Sequence, residues 1–305
     1  MKKELAPIIL FVYNRPEHTK KTLEALANNL LANESVLYIY CDGVPKNATE
    51  ELKNNNTLVK KVIREQQWCK EVIIVEAESN KGLANSIING VTDIVDKHGE
   101  VIVLEDDLIT GKYFLEYMNT ALKKYSSSKN VVQISGFCYE PPKIKSNKSS
   151  YFLPLTTTWG WATWKEEWNA IDFDCKDYIL LKQDKKLAYQ FNFNGSYNFK
   201  KMFFQQMEQN KISSWGIRYY WNVFKQKALI LHPDKSLVLN NGWDNSGKHK
   251  DSYQIYPIEN WDEDYRVVKF PKVCKLDSLT VKIVSKYIKK RTSFFSKLIN
   301  RLLNF

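Results

Sequence analysis

The first half of the chain alternates short apolar runs with longer stretches whose apolar residues recur every three or four positions. Continuous apolar runs of this length are typical of strands buried on both faces, and the three-to-four spacing is typical of helices. Five runs predict strands: Ile8–Tyr13, Val36–Cys41, Glu71–Glu76, Val101–Leu104 and Val131–Ser135. Helices are predicted between them, so the pattern indicates an α/β protein with a mainly parallel sheet flanked by helices.

The carboxyl ends of these predicted strands carry polar or charged residues. Asn14-Arg15, Asp42, Asn80-Lys81 and Glu105-Asp106-Asp107 follow four successive strands. In parallel sheets the ligand crevice lies at this edge, so we expect these groups to converge. The first strand is not followed by GxGxxG, and GxxxxGK[ST] does not occur, which disfavours dinucleotide and P-loop sites.

Glu105-Asp106-Asp107 is the densest of these polar ends. Three adjacent carboxylates repel one another, and carboxylate oxygen is the preferred ligand of hard divalent ions such as Mg²⁺ or Mn²⁺. Unpaired charge is too costly to bury inside a sheet, so the three acids must lie where the chain leaves it. The alternative is a solvated acidic turn.

The second half of the chain is rich in aromatic residues. Trp159 and Trp161 flank a glycine after a run of threonines, in a setting where indole faces can stack on a sugar. Tryptophans are also frequent core residues because each buries a large apolar area. Further on, the polar segment from Asn240 to His249 predicts either a loop that closes over a ligand or a plain surface turn.

Composition narrows the possible classes. The chain has 305 residues, 44% of them hydrophobic, and can bury a sizeable core. The five cysteines form no CxxC pair, so neither a zinc site nor a disulfide framework is expected, and reduced cytosolic thiols fit best. We expect no signal peptide and no membrane span, because no apolar run is long enough.

The net charge of +11 is concentrated at the C-terminus. Residues 281–305 carry seven Lys or Arg and no acid, which leaves +4 for the other 280 residues. At about 100° per residue, Val284, Ile288, Phe295 and Leu298 gather opposite the lysines. This pattern predicts either a helix in an anionic membrane surface or a helix docked on the protein's own core. We expect no nucleic-acid partner, since the tail's aromatic residues lie on the apolar face.

The residues around the strand ends resemble the GT-A fold glycosyltransferases, and in particular N-acetylglucosaminyltransferase I and related bacterial sugar transferases. The resemblance covers roughly residues 6–250 and excludes the tail. It rests on these segments: Ile8–Pro16, Asp42, Asn80-Lys81-Gly82, Leu104–Leu108 and Trp159-Gly160-Trp161. It implies a GT-A, Rossmann-like fold with a nucleotide-sugar donor, UDP-linked, and a Mn²⁺ or Mg²⁺ cofactor.

The resemblance also implies roles for single residues on the donor side. Asp42 would contact the uracil and Arg15 would lie beside the nucleotide. Asn80 and Lys81 would line the nucleotide–sugar pocket. The three acids would divide the remaining tasks, which are ribose or sugar hydroxyls for Asp106, the donor sugar for Glu105 and the metal for Asp107.

This sequence departs from the family's pattern on the acceptor side. In the animal enzyme an aspartate follows a tryptophan at the start of a late helix and acts as the catalytic base. Here the matching segment reads Trp215-Gly216-Ile217-Arg218 and contains no acid. An inverting transfer needs a base near the acceptor hydroxyl. Asp244 is the replacement candidate, and His249 is a candidate further ligand for the metal or the diphosphate.

Together these features predict a metal-dependent glycosyltransferase that moves a hexosyl or N-acetylhexosaminyl group onto a glycan or lipid-linked acceptor in surface polysaccharide synthesis. We expect a nucleotide-sugar-binding half, 1–136, an acceptor-binding half of the same domain, 137–276, and a basic amphipathic membrane-surface tail, 277–305. The predicted location is the inner, cytoplasmic face of the cell membrane, with peripheral attachment. The alternatives are a nucleotidyltransferase that forms nucleotide-sugars and a non-catalytic, membrane-attached binding module.

Overall fold

The computed structural model describes residues 4–139, 149–209, 211–244 and 261–293. The strands are β1 (Ile8–Val12), β2 (Val36–Cys41), β3 (Glu71–Glu76), β4 (Glu100–Glu105), β5 (Leu108–Thr110), β6 (Val131–Ser135), β7 (Ser150–Leu153), β8 (Trp161–Trp164), β9 (Leu229–Pro233) and β10 (Val238–Asn240). The helices are α1 (Pro16–Ala27), α2 (Glu50–Val62), α3 (Leu83–His98), α4 (Phe114–Tyr125), α5 (Lys165–Asn169), α6 (Leu180–Gln183), α7 (Lys185–Phe191), α8 (Phe199–Met207), α9 (Trp215–Lys225) and α10 (Ser278–Thr292).

Eight strands form one mixed sheet in the order β3-β2-β1-β4-β8-β6-β9-β7. The first four are mutually parallel, and β6 and β9 run in the same direction as they do. Only β8 and β7 of these eight run the opposite way. The predicted α/β fold with a mainly parallel, helix-flanked sheet is therefore confirmed, and strands from both predicted halves belong to this one sheet.

Strand β8 is a central strand that the sequence pattern does not predict. The fifth predicted strand, β6, does not lie beside β4, because the antiparallel β8 is inserted between them. Trp161–Trp164, which was not among the predicted strands, is a wholly buried strand, and α5 begins only after it. Four residues carry too short a pattern to reveal a central strand.

Strand β1 shows how the sheet is covered on both faces. Its five residues are all buried, and alternate side chains enter separate cores. Leu10 packs into the core that includes Leu23 of α1, and Phe11 packs into the core that includes Ile87 of α3. Such a strand must be continuously apolar, and its first polar residues can occur only where it ends.

A second sheet of two strands lies directly after the acids. β5 pairs antiparallel with β10, with Leu108 opposite Asn240. Because β5 begins one residue after Asp107, this pairing brings the chain from Asn240 onward to the end of β4. The long-range pairing thereby positions the polar loop that the sequence left unplaced.

Helix α10 uses its apolar face inside the protein. Val284 is fully buried and Ile288 is 1% exposed, both within the main core. The predicted insertion of this face into a membrane is therefore wrong for these two residues, which pack against the protein instead. Phe295 and Leu298 lie outside the described residues. Among the residues described, no helix is long and apolar enough to cross a membrane.

Candidate functional site

The polar residues that follow β1 and β4 meet at one edge of the sheet. β1 pairs in parallel with β4, with Phe11 opposite Glu105. Arg15, four residues beyond Phe11, donates from Nε to Asp106 Oδ2 at 3.4 Å and from Nη2 to Asp107 Oδ2 at 3.1 Å. It also ion-pairs with Asp106 through Nη2. The predicted convergence of these two strand ends is thus present in the structure.

Asp106 is the most enclosed of the three acids. It is 5% exposed, and its main-chain carbonyl accepts a hydrogen bond from Thr22 Oγ1 at 2.9 Å. Burial raises the pKa of its carboxyl group, while the charge of Arg15 acts in the opposite direction. Arg15 itself has a raised pKa, because Asp106 and Asp107 outweigh the lowering effect of burial. The pair holds the start of α1 against the end of β4.

Glu105 is the least satisfied of the three acids. Within the described residues, no donor is within hydrogen-bonding distance of its carboxylate. Burial, followed by the charges of Asp107 and Asp106, raises its pKa. With all three acids ionised, one guanidinium balances one charge and two negative charges remain. A cation would relieve this excess.

The donor set fits a hard divalent ion only in part. The described residues contain no cluster of three or more His, Cys, Asp or Glu arranged to hold a metal. Mg²⁺, however, is usually held by one or two carboxylates together with substrate phosphates. Asp107 and Glu105, which accepts no hydrogen bond from the described residues, provide carboxylate oxygens of this kind. His249, the further predicted ligand, lies outside the described residues.

Asp42 and Asn80-Lys81-Gly82 form a second polar group at the end of β2. The Asp42 carboxylate accepts hydrogen bonds from the backbone N–H groups of Gly43, Lys81 and Gly82 at 2.9–3.0 Å. It also accepts from Asn80 Nδ2 at 3.1 Å. A carboxylate has about four acceptor positions, so the protein's own donors already occupy all of them. Asp42 thereby fixes the loop that begins α3.

Asn56 of α2 joins the two polar groups. Its side-chain amide donates to the carbonyl of Tyr13 at 2.7 Å and to that of Asp42 at 3.0 Å, and it is 5% exposed. A buried amide bound to both strand ends fixes their separation. No sequence pattern predicts this role for Asn56, because a polar residue in a polar helix carries no signal that it points inward.

The loop 241–244 lies against the acids. Asn241 donates from its backbone N–H to the carbonyl of Asp107 at 2.8 Å. A Cβ placed on Gly242 would come within 2.4 Å of Asp107 Oδ2 and 3.1 Å of Arg15 Nη1. The loop can approach this closely only with glycine at position 242. The loop hypothesis is therefore favoured over a plain surface turn.

His18 is a second residue whose role at this edge no sequence pattern predicts. Its Nε2 lies 3.2 Å from Asp244 Oδ2 and 3.2 Å from the carbonyl of Asn241. The His18 side chain is 10% exposed, whereas the Asp244 side chain is 51% exposed. His18 follows Arg15 by three residues, in the first turn of α1. Arg15, which binds the acids, and His18, which contacts Asp244, thus lie within one helical turn of each other.

Two cavities open beside these groups. One, of about 640 Å³, is lined by Asn14, Arg15, His18 and Asp244 together with the start of α2. The other, of about 270 Å³, is lined by residues that include Asp42 and Lys81. Both lie at the carboxyl edge of the parallel strands, which is where ligands bind in such sheets.

The two predicted stacking tryptophans differ in position. Trp161 has no exposed surface and packs on Trp168, Trp215 and Tyr219 with ring centroids 5.3–5.8 Å apart. It cannot stack on a sugar in this structure, and the prediction for it is corrected to a core role. Trp159 is only partly buried and lies 6.5 Å, edge to face, from Trp243 of the loop.

Known proteins give limited guidance. No family model matches the sequence, and no curated protein matches it. A mannosyltransferase from Pyrobaculum calidifontis, solved with GDP-Man and Mn²⁺, aligns over 74% of this chain and 77% of its own, with 13% identity and a TM-score of 0.41. Mouse xyloside xylosyltransferase 1 aligns over 78% and 86%, with 12% identity and a TM-score of 0.38.

A third similar structure is a UDP-glucose pyrophosphorylase complexed with UDP-glucose. It aligns over 76% of this chain and 91% of its own, with 10% identity and a TM-score of 0.38. Similarity at this level assigns neither a reaction nor a residue to this chain. The evidence for function therefore comes from the side chains at the sheet edge.

Proposed function

We propose that this protein is a divalent-metal-dependent glycosyltransferase that uses a nucleoside-diphosphate sugar. The observation that carries the proposal is the acidic end of β4. Arg15 binds Asp106 and Asp107, no donor of the described residues reaches the Glu105 carboxylate, and full ionisation of the three acids would leave negative charge unbalanced. A solvated acidic turn would not bury Asp106 to 5% exposure or require a glycine against Asp107.

On the donor side, Asp107 and Glu105 would hold Mn²⁺ or Mg²⁺. A bound divalent ion neutralises charge on a departing diphosphate. Arg15 keeps Asp106 and Asp107 in place and adds positive charge at the mouth of the larger cavity. Asp106, already paired and buried, orients Arg15 and leaves little of its carboxylate free for ribose or sugar hydroxyls.

The nucleotide is proposed to lie along the Asp42 loop. The resemblance to N-acetylglucosaminyltransferase I and related bacterial enzymes favours a UDP-linked hexose or N-acetylhexosamine, with Asp42 near the base. Since four donors of the protein already bind the Asp42 carboxylate, we infer that Asp42 acts chiefly by fixing Asn80 and Lys81. Lys81 lines the smaller cavity and is available to contact the nucleotide or the sugar.

On the acceptor side, Asp244 is proposed as the base. Transfer forms a bond between the acceptor oxygen and the anomeric carbon, breaks the bond from that carbon to the diphosphate, and releases the proton of the acceptor hydroxyl. Asp244 is half exposed at the larger cavity and can take that proton. His18 orients it, in the way that a second group orients a general base. Trp159, beside Trp243, would border the acceptor glycan, whether free or lipid-linked.

The test is the release of nucleoside diphosphate by the full chain. Several UDP- and GDP-sugars are assayed with Mn²⁺, with and without glycan acceptors. We expect Asp107→Asn to lower turnover by about 10²–10³-fold, the range for loss of one group that stabilises developing charge. Asp174→Asn is the matched control, since Asp174 is 77% exposed, lies between α5 and α6, and lines neither cavity.

Other results of this assay would support one of the alternative functions or refute the role of a single residue. Formation of nucleoside triphosphate and sugar 1-phosphate from a nucleotide-sugar and pyrophosphate would indicate the nucleotidyltransferase. Thermal stabilisation by a nucleotide-sugar, with no diphosphate released under any condition, would indicate the binding module. Full activity of Asp244→Asn would refute the base assignment while leaving the donor site intact. Equal Mn²⁺ dependence in wild type and Asp107→Asn would refute the metal assignment.

A further inference from the structure

Residues 267–277 form an irregular segment held against α4. The hydroxyl of Tyr125 donates to the carbonyl of Pro271 at 2.8 Å, and the ring of Phe270 stacks on Tyr117 at 5.8 Å. Asn130 donates to the carbonyl of Cys274 at 3.2 Å. These contacts fix which side chains of the segment point inward, and so they also fix which point to solvent.

The solvent side of this segment and of the start of α10 is apolar to an unusual degree. Val268 is 67% exposed, Val273 62%, Leu276 42% and Leu279 63%. These four are among eleven large hydrophobic side chains exposed in the described part of the chain, yet they fall within twelve residues. Single exposed apolar residues need no explanation, but a cluster of them marks an interaction surface.

Exposed lysines lie close in sequence to this cluster. Five exposed lysines lie within or beside it: Lys269, Lys272, Lys275, Lys282 and Lys286. Residues 267–290 contain seven lysines and one acid, which gives a net charge of +6. That acid, Asp277, caps α10 by accepting from Leu279 N–H at 3.1 Å and Thr280 Oγ1 at 2.7 Å.

The orientation of α10 adds part of the lysine border. Thr280, Val284 and Ile288 face the core. At about 100° per residue, Leu279, Lys282 and Lys286 lie together on the opposite side. The helix therefore presents an exposed leucine with lysines beside it, continuous in sequence with the segment before it. We call the outward residues Val268, Lys269, Lys272, Val273, Lys275, Leu276, Leu279, Lys282 and Lys286 the basic-apolar surface.

We propose that the basic-apolar surface docks on an anionic lipid bilayer. Aliphatic side chains can enter the headgroup boundary while lysines above them bind lipid phosphates, and each signal alone gives only weak attachment. The near absence of acids distinguishes this surface from an ordinary solvated face, where both signs of charge are mixed. The proposal places membrane contact on folded residues before and within the first turns of α10, not on the apolar face of that helix.

The test is sedimentation of the full chain with vesicles of phosphatidylcholine alone or mixed with phosphatidylglycerol. We expect binding only to the anionic vesicles, and weaker binding as salt rises. The double variant Val273→Asp/Leu279→Asp should bind about 10–100-fold more weakly, since it removes two aliphatic side chains that enter the bilayer and adds two charges that the anionic lipid repels. The double variant Lys272→Glu/Lys275→Glu should lose binding to a similar extent and flatten the salt dependence.

The control is Leu30→Asp/Leu58→Asp. These leucines are 47% and 45% exposed and lie after α1 and within α2, so the same change in hydrophobicity and charge is made elsewhere. Thermal melts should show all variants folded, since every altered side chain is exposed. Wild-type binding to neither kind of vesicle, which would favour a protein partner, overturns the proposal. So does binding by Val273→Asp/Leu279→Asp that equals wild type, or loss of binding in the control. None of these results depends on sugar transfer.

Discussion

The acidic end of β4 and the tryptophan cluster behind β8 use burial in opposite ways. At the end of β4, like charges are brought together and only partly balanced, which costs folding free energy. In the cluster, Trp161, Trp168 and Trp215 bury large apolar rings and stabilise the fold. The two regions are adjacent, because β8 pairs with β4. The stabilising region thus lies beside the strand that carries the costly one, as expected where a site needs a rigid support.

The largest effect should follow from removing the centre of the cluster. Trp161→Ala leaves a cavity beneath β8, and we expect the free energy of unfolding to fall by about 3–5 kcal/mol. Urea denaturation measures this loss. Trp159→Ala is the matched control, since Trp159 is partly exposed and should cost far less stability. Equal losses in the two variants would contradict the core role of Trp161.

A smaller loss of stability is expected from Gly242→Ala, which pushes the loop 241–244 away from Asp107. Gly242→Ala places a methyl group against Asp107 and Arg15, and overpacking of this kind costs about 1–3 kcal/mol. Because the loop end is half exposed, we expect the change mainly in kcat/KM and in Mn²⁺ affinity, measured by calorimetry with nucleoside diphosphate present. An unchanged affinity would show that the loop does not constrain Asp107. Gly99→Ala is the control: Gly99 ends α3 with a φ of 82°, so its replacement strains the backbone away from the acids and should lower stability without changing Mn²⁺ affinity.

The smallest expected change in stability is a gain, in contrast to the loss expected for Trp161→Ala, and it follows from replacing Glu105. Burial and the neighbouring acids raise the pKa of Glu105 in the folded protein above its unfolded value. The folded state then holds this proton more tightly, so stability falls as pH rises from the ordinary glutamate range through neutrality. Glu105→Gln should remove that loss and raise the free energy of unfolding by about 1 kcal/mol at pH 8.

Thermal melts at several pH values check this expectation. The advantage of Glu105→Gln should vanish as pH falls to about 3, where the wild-type residue is protonated in both states. Sugar transfer should fall sharply in the same variant. A variant less stable than wild type at pH 8 would show that Glu105 has a compensating partner and would remove the basis for placing a cation beside it.

Strand existence was the most predictable feature of the fold. β2 and β3 have the predicted bounds, and β1 and β4 differ from prediction at their ends by one residue. The strand β8 escaped prediction because its central position depends on pairing with β4 and β6, which no local pattern reports. The same limit applies to α10, because an amphipathic pattern suits both a lipid surface and the protein's own core. In the structure Val284 and Ile288 pack in the core.

At the candidate site, sequence alone determined which residue types could stand at the strand ends. A strand buried on both faces tolerates no charge, so Arg15 and Glu105-Asp106-Asp107 had to lie where β1 and β4 stop. Parallel pairing then placed both ends on one edge.

Only the tertiary structure decided which of these groups touch. The pairing of Arg15 with Asp106, and of His18 with Asp244, joins residues 91 and 226 positions apart. Such contacts depend on how α1 and the loop 241–244 pack over the sheet. Local sequence records whether a side chain should be buried or exposed, and it carries no information about the distant group that the fold will place beside it.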